Sequence, residues 1–246
     1  MRSDADTVRL SVRRPDGPVT GLALVLPGGK VRSRARPQPW HLAAARMVPF
    51  ARALEQAGGT QGLAVASLLY RYRGWNGDEA SPVADTRRAL ERLRADVGDV
   101  PVAIVGHSMG GRTALRCADA PSVVGVVALA PWIERDEPVA QLAGRRLLIL
   151  HGGRDRWTDP KASLAYVQRA VAVAASASRV EIAGDRHAMI GRPRLWHELT
   201  TGFVLAALGS PELAGLGEGQ SESRDETNTS QVVLRQVWAG QLLSDV

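Results

Sequence analysis

The sequence predicts an α/β domain, a mostly parallel twisted sheet of about seven strands with helices on both faces. Three observations carry this prediction. Short apolar runs alternate with helix-forming stretches across residues 7–208, which is the pattern of βαβ units. One run, Val102–Val105, leads straight into Gly106-His-Ser-Met-Gly-Gly111, and a helix-forming stretch, Thr113–Asp119, follows at once. Finally, a serine, an aspartate and a histidine each lie just after a separate apolar run, at the strand ends where open α/β sheets place their working crevice.

Taken in order, Val8, Leu10 and Val12 alternate with polar residues over Thr7–Arg13, as in a half-exposed outer strand. Asp16-Gly17 signals a turn, and Val19–Leu26 is the next strand. Leu42–Ala57 is rich in helix formers and stops at Gly58-Gly59. After a strand over Gly62–Tyr70, Ser81 and Pro82 read as the N-cap and first position of a helix running to about Val97. Ser122–Ala130 and Arg145–Leu150 are strands. The segment between them, Pro131–Gly144, is too short for a cap domain. Asp159 and Pro160 open a helix to Val173, Arg179–Ala183 is a strand, and Pro193–Leu208 is the helix that closes the domain.

This places the domain at residues 1–210 and a tail at 211–246. Gly215–Ser230 has little to bury, so disorder is expected. Val233, Val237, Gly240 and Leu243 fall at helical spacing and allow a short helix near 232–243.

Composition narrows the function classes. A chain of 246 residues can bury a substantial core. No apolar run approaches a membrane span, and the polar N-terminus lacks a signal-peptide core, so a cytoplasmic protein without a membrane partner is expected. Cys117 is the lone cysteine and reads as buried packing. The net charge is +6, and Lys30 and Lys161 are the only lysines. No nucleic-acid-binding signature accompanies that charge, so no nucleic-acid partner is expected. The run Lys30-Val-Arg-Ser-Arg-Ala-Arg36 would border the site mouth and favour carboxylated or phosphorylated substrates, although such runs are usually just solvated. There is no His-Glu-x-x-His and no phosphate-cradling loop, so neither a metal nor a cofactor is expected.

The strand-turn-helix setting makes Gly106-His-Ser-Met-Gly110 a candidate nucleophile elbow, with Ser108 at its apex. A nucleophilic serine needs a base, and the base needs an orienting acid. In chain order these are Asp155, in His151-Gly-Gly-Arg-Asp155, and His187, in Gly184-Asp-Arg-His187. The competitors fit other roles. Asp159 suits a helix cap, His197 lies in a helical pattern, and His107 adjoins the nucleophile in a tight turn and would shape the site floor or hydrogen-bond beneath it. His151 would order the acid loop, and His41 has no assigned role.

On these motifs, together with Leu26-Pro-Gly-Gly29, the chain resembles the α/β-hydrolase family, over roughly residues 7 to 208. It looks most like the small lidless hydrolases of the dienelactone-hydrolase and short-esterase type. Many relatives carry His-Gly where this chain has Pro27-Gly28. The resemblance implies acyl transfer from a small ester or thioester through Ser108, His187 and Asp155. The oxyanion donors would be the Met109 N–H and, in the loop after Leu26, that of Gly29 in preference to Gly28 or Lys30. Trp132, Trp75 and Lys30 are candidate substrate-binding residues. Acyl transfer to another acceptor, peptide cleavage and a non-catalytic binding protein are the alternative readings. The sequence does not indicate an oligomeric state.

Overall fold

The computed structural model describes residues 8–209. The seven strands are β1 (Arg9–Arg13), β2 (Gly21–Leu26), β3 (Leu63–Leu69), β4 (Val102–His107), β5 (Val123–Leu129), β6 (Arg146–Gly152) and β7 (Ser176–Ile182). They form one sheet in the order β1-β3-β2-β4-β5-β6-β7. Every pairing is parallel except β1 with β3. The sheet is the predicted one, with β4 at its centre.

Six helices cover it: α1 (Leu42–Ala45), α2 (Val48–Gly58), α3 (Ser81–Val97), α4 (Met109–Arg116), α5 (Pro160–Ala170) and α6 (Pro193–Ala207). Because strand side chains alternate faces, β2 sends Leu22, Leu24 and Leu26 into the core beneath α3, α4 and α5. Ala23 and Val25 face the opposite core under α2 and α6, where Trp196, Leu199 and Phe203 pack. Strands buried on both faces explain why β2 and β4 read as unbroken apolar runs. Between β5 and β6 only a short 3-10 turn at Ala140–Leu142 intervenes, and the described residues contain no cap domain.

Two expectations need correction. The helix predicted over Leu42–Ala57 is two helices, separated at Arg46–Met47, because Pro49 in the first turn of α2 has no N–H to continue a ladder from α1. Ser81 is not the N-cap of α3. Ala80 takes that position at φ 43°, and the buried Ser81 hydroxyl accepts a hydrogen bond from Asn76 Nδ2 at 3.1 Å. By contrast, Asp159 does cap α5, its carboxylate accepting the Lys161 N–H at 2.8 Å. The expectations for the tail at 211–246 lie outside the described residues.

The tightest backbone crossing lies where β2, β4 and α4 meet. A Cβ on Gly110 would stand 2.5 Å from the Pro27 carbonyl oxygen and 2.6 Å from that of Leu26. Gly110→Ala must therefore push apart backbone that cannot yield. The expected loss is about 1–3 kcal/mol or more, read as a lowered urea midpoint. Gly59→Ala is the contrasting case. That residue sits at φ −58° with nothing within 4 Å of a new Cβ, so the substitution should be neutral or stabilise by up to about 1 kcal/mol.

Candidate active site

Ser108 terminates β4 and precedes α4 with φ 56° and ψ −116°. This is a conformation that L-residues with a side chain rarely adopt. The turn is held because the Ser108 N–H donates to the Leu129 carbonyl at 2.9 Å, while the Ser108 carbonyl accepts the N–H groups of Arg112 and Trp132, both at 3.1 Å. The loop after β2 packs directly on the elbow. A Cβ on Gly28 would lie 3.4 Å from Ser108 Cβ, and one on Gly29 would collide with the Met109 side chain and with the Arg73 carbonyl oxygen at 2.5 Å. That loop is itself pinned. The Lys30 N–H donates to the Arg73 carbonyl at 2.8 Å, and the Trp75 N–H to the Lys30 carbonyl at 2.9 Å. The Lys30 N–H is thus engaged, whereas those of Gly29 and Met109 meet no acceptor among the described residues.

Asp155 and His187 follow β6 and β7. His187 Nδ1 lies 2.8 Å from Asp155 Oδ2, with both side chains almost fully buried. A ring N–H facing the carboxylate must sit on Nδ1, which leaves the lone pair on Nε2. Asp155 is surrounded by donors. Its Oδ1 accepts the Trp157 and Thr158 N–H groups at 2.8 and 3.1 Å. Its Oδ2 also accepts the Thr158 hydroxyl at 2.8 Å and lies 3.3 Å from His151 Nε2. Burial alone would raise its pKa. The hydrogen bonds from His151, His187, Trp157 and Thr158 outweigh burial and hold the carboxyl well below the usual carboxylate range.

His151 is fully buried, with Nδ1 2.9 Å from Ser163 Oγ. The acid loop is therefore ordered by His151, as expected, and also by Thr158, which no sequence pattern indicated. His107 lies beneath the site. Its Nε2–H donates to the His187 carbonyl at 3.1 Å, while its buried Nδ1 has no partner among the described residues. Asp185 anchors the His187 loop by accepting the N–H groups of Arg186, Gly191 and Arg192 and the Trp196 indole N–H, the last at 2.7 Å.

Ser108 and His187 line one cavity of about 510 Å³. Its wall includes Gly28, Gly29, Lys30, Leu42, Ala44, Leu69, His107 and Trp157. Lys30 therefore borders the cavity as expected, and so does His41. Of the Lys30–Arg36 run, Lys30 alone lines it, and Arg34 pairs with Glu79 at 2.8 Å. Trp75 and Trp132 lie elsewhere. They meet edge to face, and both present ring faces to the Arg112 guanidinium, at 4.2 and 4.6 Å; Arg112 in turn meets the buried Glu137 at 2.6 Å as an ion pair rather than an aligned hydrogen bond. The tryptophans that line the cavity are Trp40 and Trp157, the latter 85% exposed with its ring stacked on His187 at 5.6 Å. Its position two residues after Asp155 was the signal available in the sequence. Cys117 is buried, with its thiol pKa pushed up to about 12 by burial, and His197 packs edge-on against Phe50.

Burial holds His107 and His151 below the ordinary histidine pKa. Each binds a proton more weakly folded than unfolded, so stability is full above about pH 6.5 and falls as pH drops below it. Denaturant midpoints should decline from about pH 7 to about pH 5, and His107→Gln should flatten that decline. An unchanged slope in the variant would count against this account.

The model of the alpha/beta hydrolase family matches residues 23–237. No curated protein sequence matches the chain. Among solved structures, an alpha-beta serine hydrolase homologue from Coxiella burnetii superimposes with a TM-score of 0.60 at 18% identity, covering 82% of this chain and 93% of its own. Est1E from Butyrivibrio proteoclasticus gives 0.61 at 14% identity, with 85% and 97% covered. A serine hydrolase without lid from Xanthomonas campestris gives 0.59 at 17% identity, with 83% and 93% covered. Among the described residues no helix is long and apolar enough to cross a membrane. With the elbow, the strand order and the family match in agreement, the chain belongs to the alpha/beta hydrolase family.

Proposed function

We propose that this protein is a serine hydrolase that cleaves a small carboxylic ester or thioester through Ser108, His187 and Asp155. The observation that carries the reading is the 2.8 Å contact of His187 Nδ1 with Asp155 Oδ2 in a cavity that also holds the strained Ser108. His187 Nε2 takes the Ser108 proton as Oγ attacks the carbonyl carbon, and Asp155 steadies the imidazolium. The N–H groups of Met109 and Gly29 receive the oxyanion, both of them free of other acceptors among the described residues. Collapse expels the alcohol or thiol, which takes the proton from His187. Water activated by the same nitrogen then releases the acid.

His107 is a poor candidate for the base because its Nε2–H is committed to the His187 carbonyl. The apolar side of the cavity, formed by Pro37, Leu42, Ala43, Ala44 and Leu69, suits the carbon chain of the substrate. No cofactor or nucleic acid is needed in this reading, and the cytoplasm is the compartment we propose.

The test is labelling with a fluorophosphonate probe, with the adduct mapped by mass spectrometry. One adduct on Ser108, absent in Ser108→Ala, is the expected result. Asp155→Asn should lower kcat on a short-chain nitrophenyl ester by about 10⁴-fold, since it leaves His187 in the wrong tautomer. A well-folded protein that takes no label would overturn the reading.

A further inference from the structure

We propose that the protein carries an anion subsite beside the catalytic cavity, built from Arg46, Arg154, Arg156 and Arg186 around Trp157. It would take the carboxylate or phosphate group of an amphipathic ester or thioester. The proposal rests on the reading of Ser108 as the nucleophile, and it names the class of substrate that nucleophile meets.

A second cavity of about 260 Å³ is lined by these four arginines with Trp157, His187 and Ala188. It shares Arg46, Trp157 and His187 with the Ser108 cavity, so the two are continuous at the proposed base. Lys30 and Arg73 add positive charge on the Ser108 side, and neither lining contains a carboxylate. The cations come from separate segments. Arg46 lies in the break between α1 and α2, Arg154 and Arg156 follow β6, and Arg186 follows β7.

Some surface arginines elsewhere have acidic partners, as in Arg87–Asp119, Arg94–Asp99 and Arg194–Glu198, while others, such as the exposed Arg32, Arg52 and Arg135, pair with no carboxylate among the described residues. The side chains of Arg46, Arg154, Arg156 and Arg186 pair with no carboxylate among the described residues. The acids nearest in sequence are turned inward or engaged. Asp155 is held by its own loop and His187, Asp159 caps α5, and Asp185 is buried under the N–H groups of its loop and the Trp196 indole. Local neutralisation is thus missing at the one place where cations crowd the site.

Arg46 is the informative member. It is half-buried, and desolvation lowers its pKa with no carboxylate to offset the effect. A guanidinium taken out of water without a counter-charge costs free energy that a bound anion would offset. Guanidinium groups bind carboxylate and phosphate oxygens in bidentate fashion, which suits several arginines converging on one such group. The apolar wall of Leu42, Ala43 and Ala44 lies in the Ser108 cavity. A substrate with a carbon chain on that side and an anionic group at the other end meets complementary surfaces at both.

The test uses the full chain and two readouts. In the first, pyrophosphate and glutarate are titrated calorimetrically into wild type, into Ser108→Ala and into the triple variant Arg154→Gln/Arg156→Gln/Arg186→Gln. Saturable binding of at least one anion is expected, retained in Ser108→Ala and weakened about tenfold or more in the triple variant. The stronger of the two anions identifies phosphate or carboxylate as the group recognised. In the second, 4-nitrophenyl hemiglutarate is compared with 4-nitrophenyl pentanoate. The ratio of their kcat/KM values should favour the charged ester by about tenfold or more at low salt, and it should collapse in high salt and in the triple variant.

Cleavage indifferent to charge, together with no saturable anion binding, would overturn the subsite and leave the serine-hydrolase reading intact. Arginine-dependent anion binding in a protein that neither cleaves esters nor labels at Ser108 would support the subsite while removing the hydrolase reading.

Discussion

The architecture around the site depends on how closely three pieces of backbone can approach one another. The end of β4, the start of α4 and the loop after β2 meet at Gly106, Gly110 and Gly28, where added side-chain atoms would strike carbonyl groups or the neighbouring ring. This crowding brings the Gly28-Gly29 loop against Ser108 and Met109, and the N–H groups of Gly29 and Met109 meet no acceptor among the described residues. It also forces Ser108 to φ 56°. The strain is local and is held by buried sheet on both sides, since β4 packs between β2 and β5 over its whole length. A rigid centre of this kind lets the flanking loops vary without disturbing the elbow.

The second constraint is electrostatic. Asp155 is a buried carboxylate whose oxygens are nearly saturated by donors on its own loop and by two imidazoles. Such a carboxylate stays ionised and fixed, which is what the proposed base requires of its partner. The two histidines that support the arrangement from below, His107 and His151, are kept neutral by burial. Negative charge at the site therefore sits inside, on Asp155, and positive charge outside, on Lys30 and the arginines.

How much of this was legible in the sequence follows from range. Ser108, Asp155 and His187 each follow a short local signal, an apolar run and then a turn, and the structure sets Ser108 and His187 on one cavity with Asp155 against the His187 ring. Boundaries drifted where one residue decided the matter, as with Pro49 splitting the predicted helix and Asn76 drawing Ser81 away from a capping role. The tryptophans show the limit most clearly. Trp75 and Trp132 read from the sequence as substrate-binding residues, yet both are held by cation–π contacts with Arg112 that a local reading cannot reveal. Trp157 had the better address, beside the acid, but an exposed aromatic in a turn carries no periodicity to mark it.

The arginines make the same point and lead further. Arg112 and Arg179 are buried among partners: Arg112 beside Glu137 and two indole faces, Arg179 beside Glu181, Ser163 and the Pro160 carbonyl. These are structural solutions, in which partners within the fold offset part of the cost of removing a guanidinium from water. Arg46 is half-buried and has no carboxylate. Arg154, Arg156 and Arg186 share its cavity with no carboxylate of their own. These arginines gather from three separate segments around one mouth, and the acids that could neutralise them are spent on loop geometry. The same Asp155 and Asp185 that shape the loops of the proposed triad thereby leave the neighbouring arginines uncompensated, so site geometry and site charge come from one set of hydrogen bonds.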